Sequence, residues 1–178
     1  LREAHRLPIQ YVPLAEACGL QLAAPVVADR DYPPFSRAMM DGYAVRVADA
    51  GQTLRVVGDI GAGRLVADFC LPNQCFEIMT GAPCPAGTEA VVPKEDAVRE
   101  GDSVTIPLTI RLGQHIAPQG SECRRGAVVL ECGATITPLA IAVIASFGRS
   151  TIGVIPRPSL AVITTGGELV AAGHDPSA

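Results

Sequence analysis

Apolar positions are unevenly patterned along this chain. The clearest periodic segment is residues 139–147, where Leu139, Ile141, Val143, Ile144 and Phe147 make a face that is apolar nearly all round. Thr137 is a natural N-cap, because its hydroxyl can accept a free backbone N–H. Pro138 follows at the first helical position, where a missing N–H costs nothing, and Gly148 suits the left-handed C-cap. The pattern predicts a buried helix rather than a surface-lying one. A second helix is expected over residues 14–18, between Pro13 and Gly19. Residues 20–27 and 150–155 read as strands. Residues 160–164 form an apolar, unalternating run, as expected for a strand of a parallel sheet covered on both faces.

The middle of the chain differs. From Phe35 to about Gly120, glycines and prolines are frequent and apolar runs are short. Residues 43–47, 54–57, 75–79, 90–93 and 104–106 read as strands between turns, with no helix of useful length. The expected fold class is α+β. A small α/β linker domain (1–32 with 124–153) carries an inserted, mostly-β barrel or sandwich (33–123). Residues 154–178 would then open a truncated parallel α/β domain.

Composition and charge narrow the function. The 178 residues carry a formal charge of −4. Lys94 is the single lysine and the arginines are scattered, so the clustered cations of a nucleic-acid surface are missing. No run approaches the ~20 apolar residues of a membrane span, and residues 1–10 do not resemble a signal peptide. Six cysteines stand without metal-like spacing. They read as free thiols in a reducing, cytoplasmic setting.

Four polar motifs could carry chemistry. The first runs from Pro33 to Arg46 and contains Asp41-Gly42. Its plainest reading is an Asx turn opening a strand; its functional reading is a carboxylate held for Mg²⁺ or an oxyanion. The second, Ile78 to Val92, turns at Thr80-Gly81, where exposed N–H groups could nest an anion or simply join two strands. The third, Gly120 to Gly126, sets Glu122 beside Arg124 and Arg125 and reads locally as a solvated turn. The fourth contains Thr165-Gly166-Gly167-Glu168 after an apolar run. A polar, glycine-rich loop at the end of a parallel strand is where α/β folds bind ligands.

Together these segments resemble the molybdopterin molybdenumtransferase family, which has the C-terminal domain of gephyrin as a eukaryotic relative. The resemblance rests on Met40 to Val45, Ile78 to Pro83 and Gly58 to Gly63, and extends from about Leu7 to the C-terminus. It implies molybdate and adenylylated molybdopterin as substrates, with Mg²⁺ assisting as a Lewis acid. It implies a homodimer whose cleft lies between the cofactor-binding domain of one subunit and the inserted domain of its partner. Catalytic roles fall to Asp41, Thr80 and Glu168, with Asp41 and Glu168 as metal ligands. Gly81, Glu122, Thr165 and Gly166 are expected to bind substrate.

The sequence departs from the family pattern at three places. Glu122 stands where Asp is usual, Ala117 replaces a basic residue, and Gly167 replaces Asp in the fourth motif. The carboxylate lost at position 167 and the basic group lost at position 117 weaken a site that works by charge. A non-catalytic dimerising scaffold, or an oxyanion-binding member of the same fold, is therefore the alternative to an enzyme. Residues 1–178 alone are expected to fold, to dimerise and to lack transfer activity.

Overall fold

The computed structural model describes residues 7–63, 69–166 and 169–174. The chain divides into two compact units. One comprises the N-terminal segment to Ala24 together with the chain from Glu131 onward; the other is Pro25–Leu130.

In chain order the strands begin with β1 (Gln10–Pro13), β2 (Gln21–Leu22), β3 (Val26–Val27), β4 (Arg37–Ala38) and β5 (Gly42–Val45). Then come β6 (Thr53–Ile60), β7 (Gln74–Ile78), β8 (Ala90–Pro93), β9 (Val98–Glu100) and β10 (Ser103–Thr105). The last are β11 (Ile116–Ala117), β12 (Val128–Leu130) and β13 (Thr151–Ile155). Helix α1 (Pro138–Ser146) is the single α-helix among the described residues. The molecule is thus mostly β.

In the first unit, β1, β13 and β2 form a three-stranded antiparallel sheet in that order. Helix α1 starts where its sequence requires. Thr137 Oγ1 accepts from Ala140 N at 3.1 Å, and Gly148, at φ 73°, bonds back to Ala145 O. A cap of this kind is worth about 1 kcal/mol.

Three expectations need correcting. Helix α1 is not buried all round: Ala140, Ile144 and Phe147 are buried, but Leu139 is 75% exposed. The helix is apolar on more sides than its own unit covers. Residues 14–18 give one 3-10 turn, Leu14–Glu16, too short a segment between Pro13 and Gly19 to propagate an α-helix. Residues 160–164 are not a strand, and Leu160, Val162 and Ile163 are more than four-fifths exposed. A strand exists only through its ladder, and no neighbour pairs with this run among the described residues.

The second unit is organised by one six-stranded sheet, in the order β8-β5-β7-β6-β10-β9. Only β6 and β7 run parallel; the other neighbours are antiparallel. The end strands β8 and β9 do not pair with each other, so the sheet is open rather than a closed barrel. Two short ladders, β4 with β11 and β3 with β12, complete the unit.

Side chains alternate across this sheet, as strand geometry demands. Tyr43, Val45, Cys75, Ala90 and Val92 join one core cluster; Ala44, Phe76, Ile78 and Val91 join the other. Strand β6 contributes Leu54 to the first and Ile60 to the second, although six residues apart should share a face. The register shift between Val56 and Gly58 supplies the extra residue that inverts the alternation.

All six cysteines are free. Burial pushes the thiols of Cys70 and Cys84 up to about 11 and that of Cys75 up to about 12, which keeps them protonated and unreactive.

Strand β5 approaches β8 closely at Gly42. A Cβ there would lie 2.0 Å from the carbonyl oxygen of Val92. Gly42→Ala is therefore expected to lower the unfolding free energy by at least about 1–3 kcal/mol, measured by chemical denaturation; an unchanged midpoint would show that the two strands can part without cost.

Candidate functional site

Asp41 stands one residue before β5. The pair Gly42–Pro93 ends the β5–β8 ladder, so Asp41 and Lys94 are the next residues opposite each other. Their backbones remain joined, Lys94 N donating to Asp41 O at 3.2 Å. From the other side, β7 ends at Ile78, and the chain turns through Met79-Thr80-Gly81. Thr80 brings two donors to one carboxylate oxygen: its N–H at 2.7 Å and its hydroxyl at 2.6 Å, both to Asp41 Oδ1. Asp41 Oδ2 takes no hydrogen bond among the described residues.

These bonds favour the ionised form. The Thr80 hydroxyl, then its backbone N–H, hold the Asp41 carboxyl below the ordinary carboxylate range; the Lys94 charge adds a smaller pull in the same direction. Lys94 is itself fixed by Glu77, at 2.7 Å, and Glu77 also pairs with Arg99. Bonds first from Lys94 and then from Arg99 lower the Glu77 carboxyl in turn. The side chains of this trio are 21–40% exposed, so its worth lies in placing charge rather than in stability.

The Thr80-Gly81 corner is not an anion nest. The Thr80 N–H goes to Asp41, the Gly81 N–H to Ala38 O at 2.8 Å, and the Ala82 N–H to Met79 O at 3.0 Å. Gly81, at φ 81°, has open space where a side chain would be. It forms a bare wall of a cavity of about 310 Å³, also lined by Arg37, Ala38, Met39, Thr80, Ala117 and Glu122.

Glu122 reaches that cavity through a second set of bonds. Tyr32 and Cys123 exchange backbone hydrogen bonds, and Tyr32 O also accepts from Glu122 N. Asp31 ties the same loop, accepting from Arg125 N at 2.9 Å and from the Gln119 side chain at 3.1 Å. The Glu122 carboxylate then pairs with Arg37, 85 positions away, and not with its sequence neighbours Arg124 and Arg125.

The structure thus brings Asp41 and Thr80 into contact and sets Gly81 and Glu122 beside them. Thr165 and Gly166 lie in an exposed loop of the first unit, while Gly167 and Glu168 fall outside the described residues. Sequence reasoning gave no role to Glu77, Lys94 or Arg37. The register of β5 with β8 would have revealed Lys94, whereas Arg37 and Glu122 meet only through the fold. Among the described residues, no group of three or more His, Cys, Asp or Glu side chains could hold a metal ion. Asp41 Oδ2 is the free carboxylate oxygen of this corner. No helix among the described residues is long and apolar enough to cross a membrane.

Known proteins resemble this chain over most of its length. Residues 1–148 match the model of the MoeA N-terminal region, domains I and II. Molybdopterin molybdenumtransferase 2 of Mycobacterium tuberculosis (strain ATCC 25618 / H37Rv) is 40% identical over 169 residues, which is 91% of this chain and 42% of that protein. Molybdopterin molybdenumtransferase of Staphylococcus aureus (strain N315) is 37% identical over 171 residues, 92% of this chain and 41% of that protein. The crystal structure of the molybdopterin biosynthesis MoeA protein from Pyrococcus horikoshii OT3 superposes with a TM-score of 0.87 at 32% identity, covering 95% of this chain and 47% of that one. The chain spans less than half the length of these relatives.

Thr80→Val, which deletes one of the two donors, is expected to raise the Asp41 pKa toward its ordinary value of about 4, followed by carboxyl carbon NMR across an acid titration. A lowered carboxylate pKa stabilises the fold above the unfolded value, and that stabilisation is lost as pH falls through the folded one. The stability gap between wild type and variant should therefore close in acid. A gap that widened below pH ~4 would contradict the assignment.

Proposed function

Because this chain belongs to the family of the MoeA N-terminal region, which its residues 1–148 match, we propose that it is the front part of an enzyme of molybdenum cofactor biosynthesis. In this reading the complete enzyme takes molybdate and adenylylated molybdopterin, hydrolyses the adenylate and leaves molybdenum on the dithiolene sulfurs. The names of the relatives, molybdopterin molybdenumtransferase, support molybdopterin and molybdenum among the substrates.

The observation that carries the reading is the Asp41–Thr80 contact beside a cavity. A carboxyl held below its ordinary range is a poor proton acceptor, so Asp41 suits holding charge and orientation better than shuttling a proton. Thr80 is its positioning partner: both of its donors are spent on Oδ1, which leaves Oδ2 free for a ligand. Mg²⁺, when bound, supplies Lewis-acid polarisation of phosphate oxygens; Asp41 would give it one oxygen, with substrate phosphates and water giving others. Glu168 is the second metal and catalytic candidate. Gly81 and Glu122 wall the substrate cavity, and Thr165 and Gly166 belong to the loop that would meet the pterin.

A cytoplasmic homodimer completes the proposal. Its support is the apolar surface of the first unit, where Leu139 on α1 and Ile9 and Tyr11 near β1 are exposed. Sedimentation equilibrium measures that association directly.

In the complete enzyme, Asp41→Ala and the isosteric Asp41→Asn are both expected to abolish molybdenum insertion, assayed with adenylylated molybdopterin, while the denaturation midpoint stays near that of wild type. Wild-type turnover in Asp41→Asn would remove the charge from the mechanism. Turnover by residues 1–178 alone would place the chemistry entirely within this chain.

A further inference from the structure

The cavity beside the Asp41–Thr80 corner holds a guanidinium that the reading above does not use. Arg37 lies on β4, and its cross-strand neighbour on β11 is Ala117. Residues directly opposite on an antiparallel pair project to the same side. Ala117 stops at its Cβ, so it leaves the space facing Arg37 unfilled and brings no second cation. Arg37 Nη2 donates to Glu122 Oε1 at 2.7 Å, with the two side chains 36% and 47% exposed.

Donors decide what this cavity can hold. A guanidinium carries five N–H donors in a planar fork. Glu122 takes one, and the Arg37 guanidinium makes no other hydrogen bond among the described residues. The backbone competes little, because the N–H groups of Ala38, Met39, Thr80, Gly81 and Glu122 along the cavity are all spent. The Thr80 hydroxyl is spent too. An anion entering here finds its hydrogen-bond donors on Arg37. The fork fits two oxygens of a tetrahedral oxyanion at once, which an ammonium cannot do. An exposed ion pair is weak in water, so a dianion can displace the Glu122 contact.

We infer that Arg37 is the oxyanion-gripping residue of this cavity and that Glu122 is the carboxylate which occupies it in the anion's absence. The ligand class is a tetrahedral oxyanion, of molybdate or phosphate type. The identity of that anion as substrate rests on the functional reading above; the grip itself rests on the cavity.

The test is a calorimetric titration of the whole chain at constant ionic strength, with sodium molybdate in one arm and sodium phosphate in the other. The Gly81 amide resonance is followed in parallel, and circular dichroism confirms that each variant is folded. Saturable binding by wild type is expected, with Arg37→Lys weaker by roughly tenfold and Arg37→Ala weaker still. Glu122→Gln should bind more tightly, because a competing negative charge has gone. Preference for molybdate assigns the site to the metal oxyanion, and preference for phosphate assigns it to the phosphate of the nucleotide-bearing substrate. Absence of binding in both arms, wild-type affinity in Arg37→Ala, or loss of binding in Glu122→Gln would each overturn the inference. The two proposals fail separately. Anion binding at Arg37 alongside full activity of Asp41→Ala would sink the functional reading alone, and silent titrations alongside an inactive Asp41→Ala would sink this one alone.

Discussion

One close approach governs the second unit. Gly42 sits against the carbonyl of Val92 at a distance no side chain could share. That contact lets β5 and β8 keep register to their shared end, where Asp41 and Lys94 come opposite each other. On its other edge β5 pairs with β7, Gly42 opposite Ile78, and this brings the Thr80 turn up to the same carboxylate. The glycine after Asp41 therefore does more than permit a turn. It helps to fix, through two ladders, where the Asp41 carboxylate meets the Thr80 donors, with one oxygen saturated and the other free.

Charge around that corner is arranged by exposed contacts rather than by burial. Glu77 anchors Lys94 and Arg99, Thr80 anchors Asp41, and Glu122 holds Arg37. None of these pairs contributes much stability, since water screens each of them. What they fix is position. Of these groups, Arg37 and Glu122 line the cavity beside Thr80 and Gly81.

Much of this was readable in the sequence, and the failures have a common cause. Helix α1 was legible because its stop and start signals are local: Thr137, Pro138 and Gly148 each act within one turn. The strands of the second unit were legible from short apolar runs between turn residues, and β8 was placed to the residue. The bend at Asp41 was visible too, but the plain reading of it as an Asx turn fails, because the carboxylate takes its donors from Thr80, 39 positions away, and not from the backbone that follows it. What could not be read was anything that depends on distant partners. The run at residues 160–164 looks like a strand because it is apolar, but apolarity does not supply a neighbour to pair with. The pairing of Glu122 with Arg37 over 85 positions was hidden behind two nearer arginines. The inversion of alternation in β6 needs a register shift that no periodicity announces.

The bonds that Gly113 and Gln114 make to residues 89 and 91 have a further consequence. Gly113 N donates to Glu89 O at 2.8 Å, and Gln114 O accepts from Val91 N at 2.9 Å. The loop thereby takes up the Val91 N–H of β8 and the carbonyl just before the strand, and β8 is buried throughout although it ends the sheet. An apolar terminal strand with free backbone groups is a template for adding strands from other molecules. At the opposite end, β9 presents Val98-Arg99-Glu100, short and charged. The sheet is guarded at one end by a loop that occupies part of its outer edge and buries it, and at the other by side chains that make stacking costly, so its growth into an intermolecular ladder is opposed from both directions.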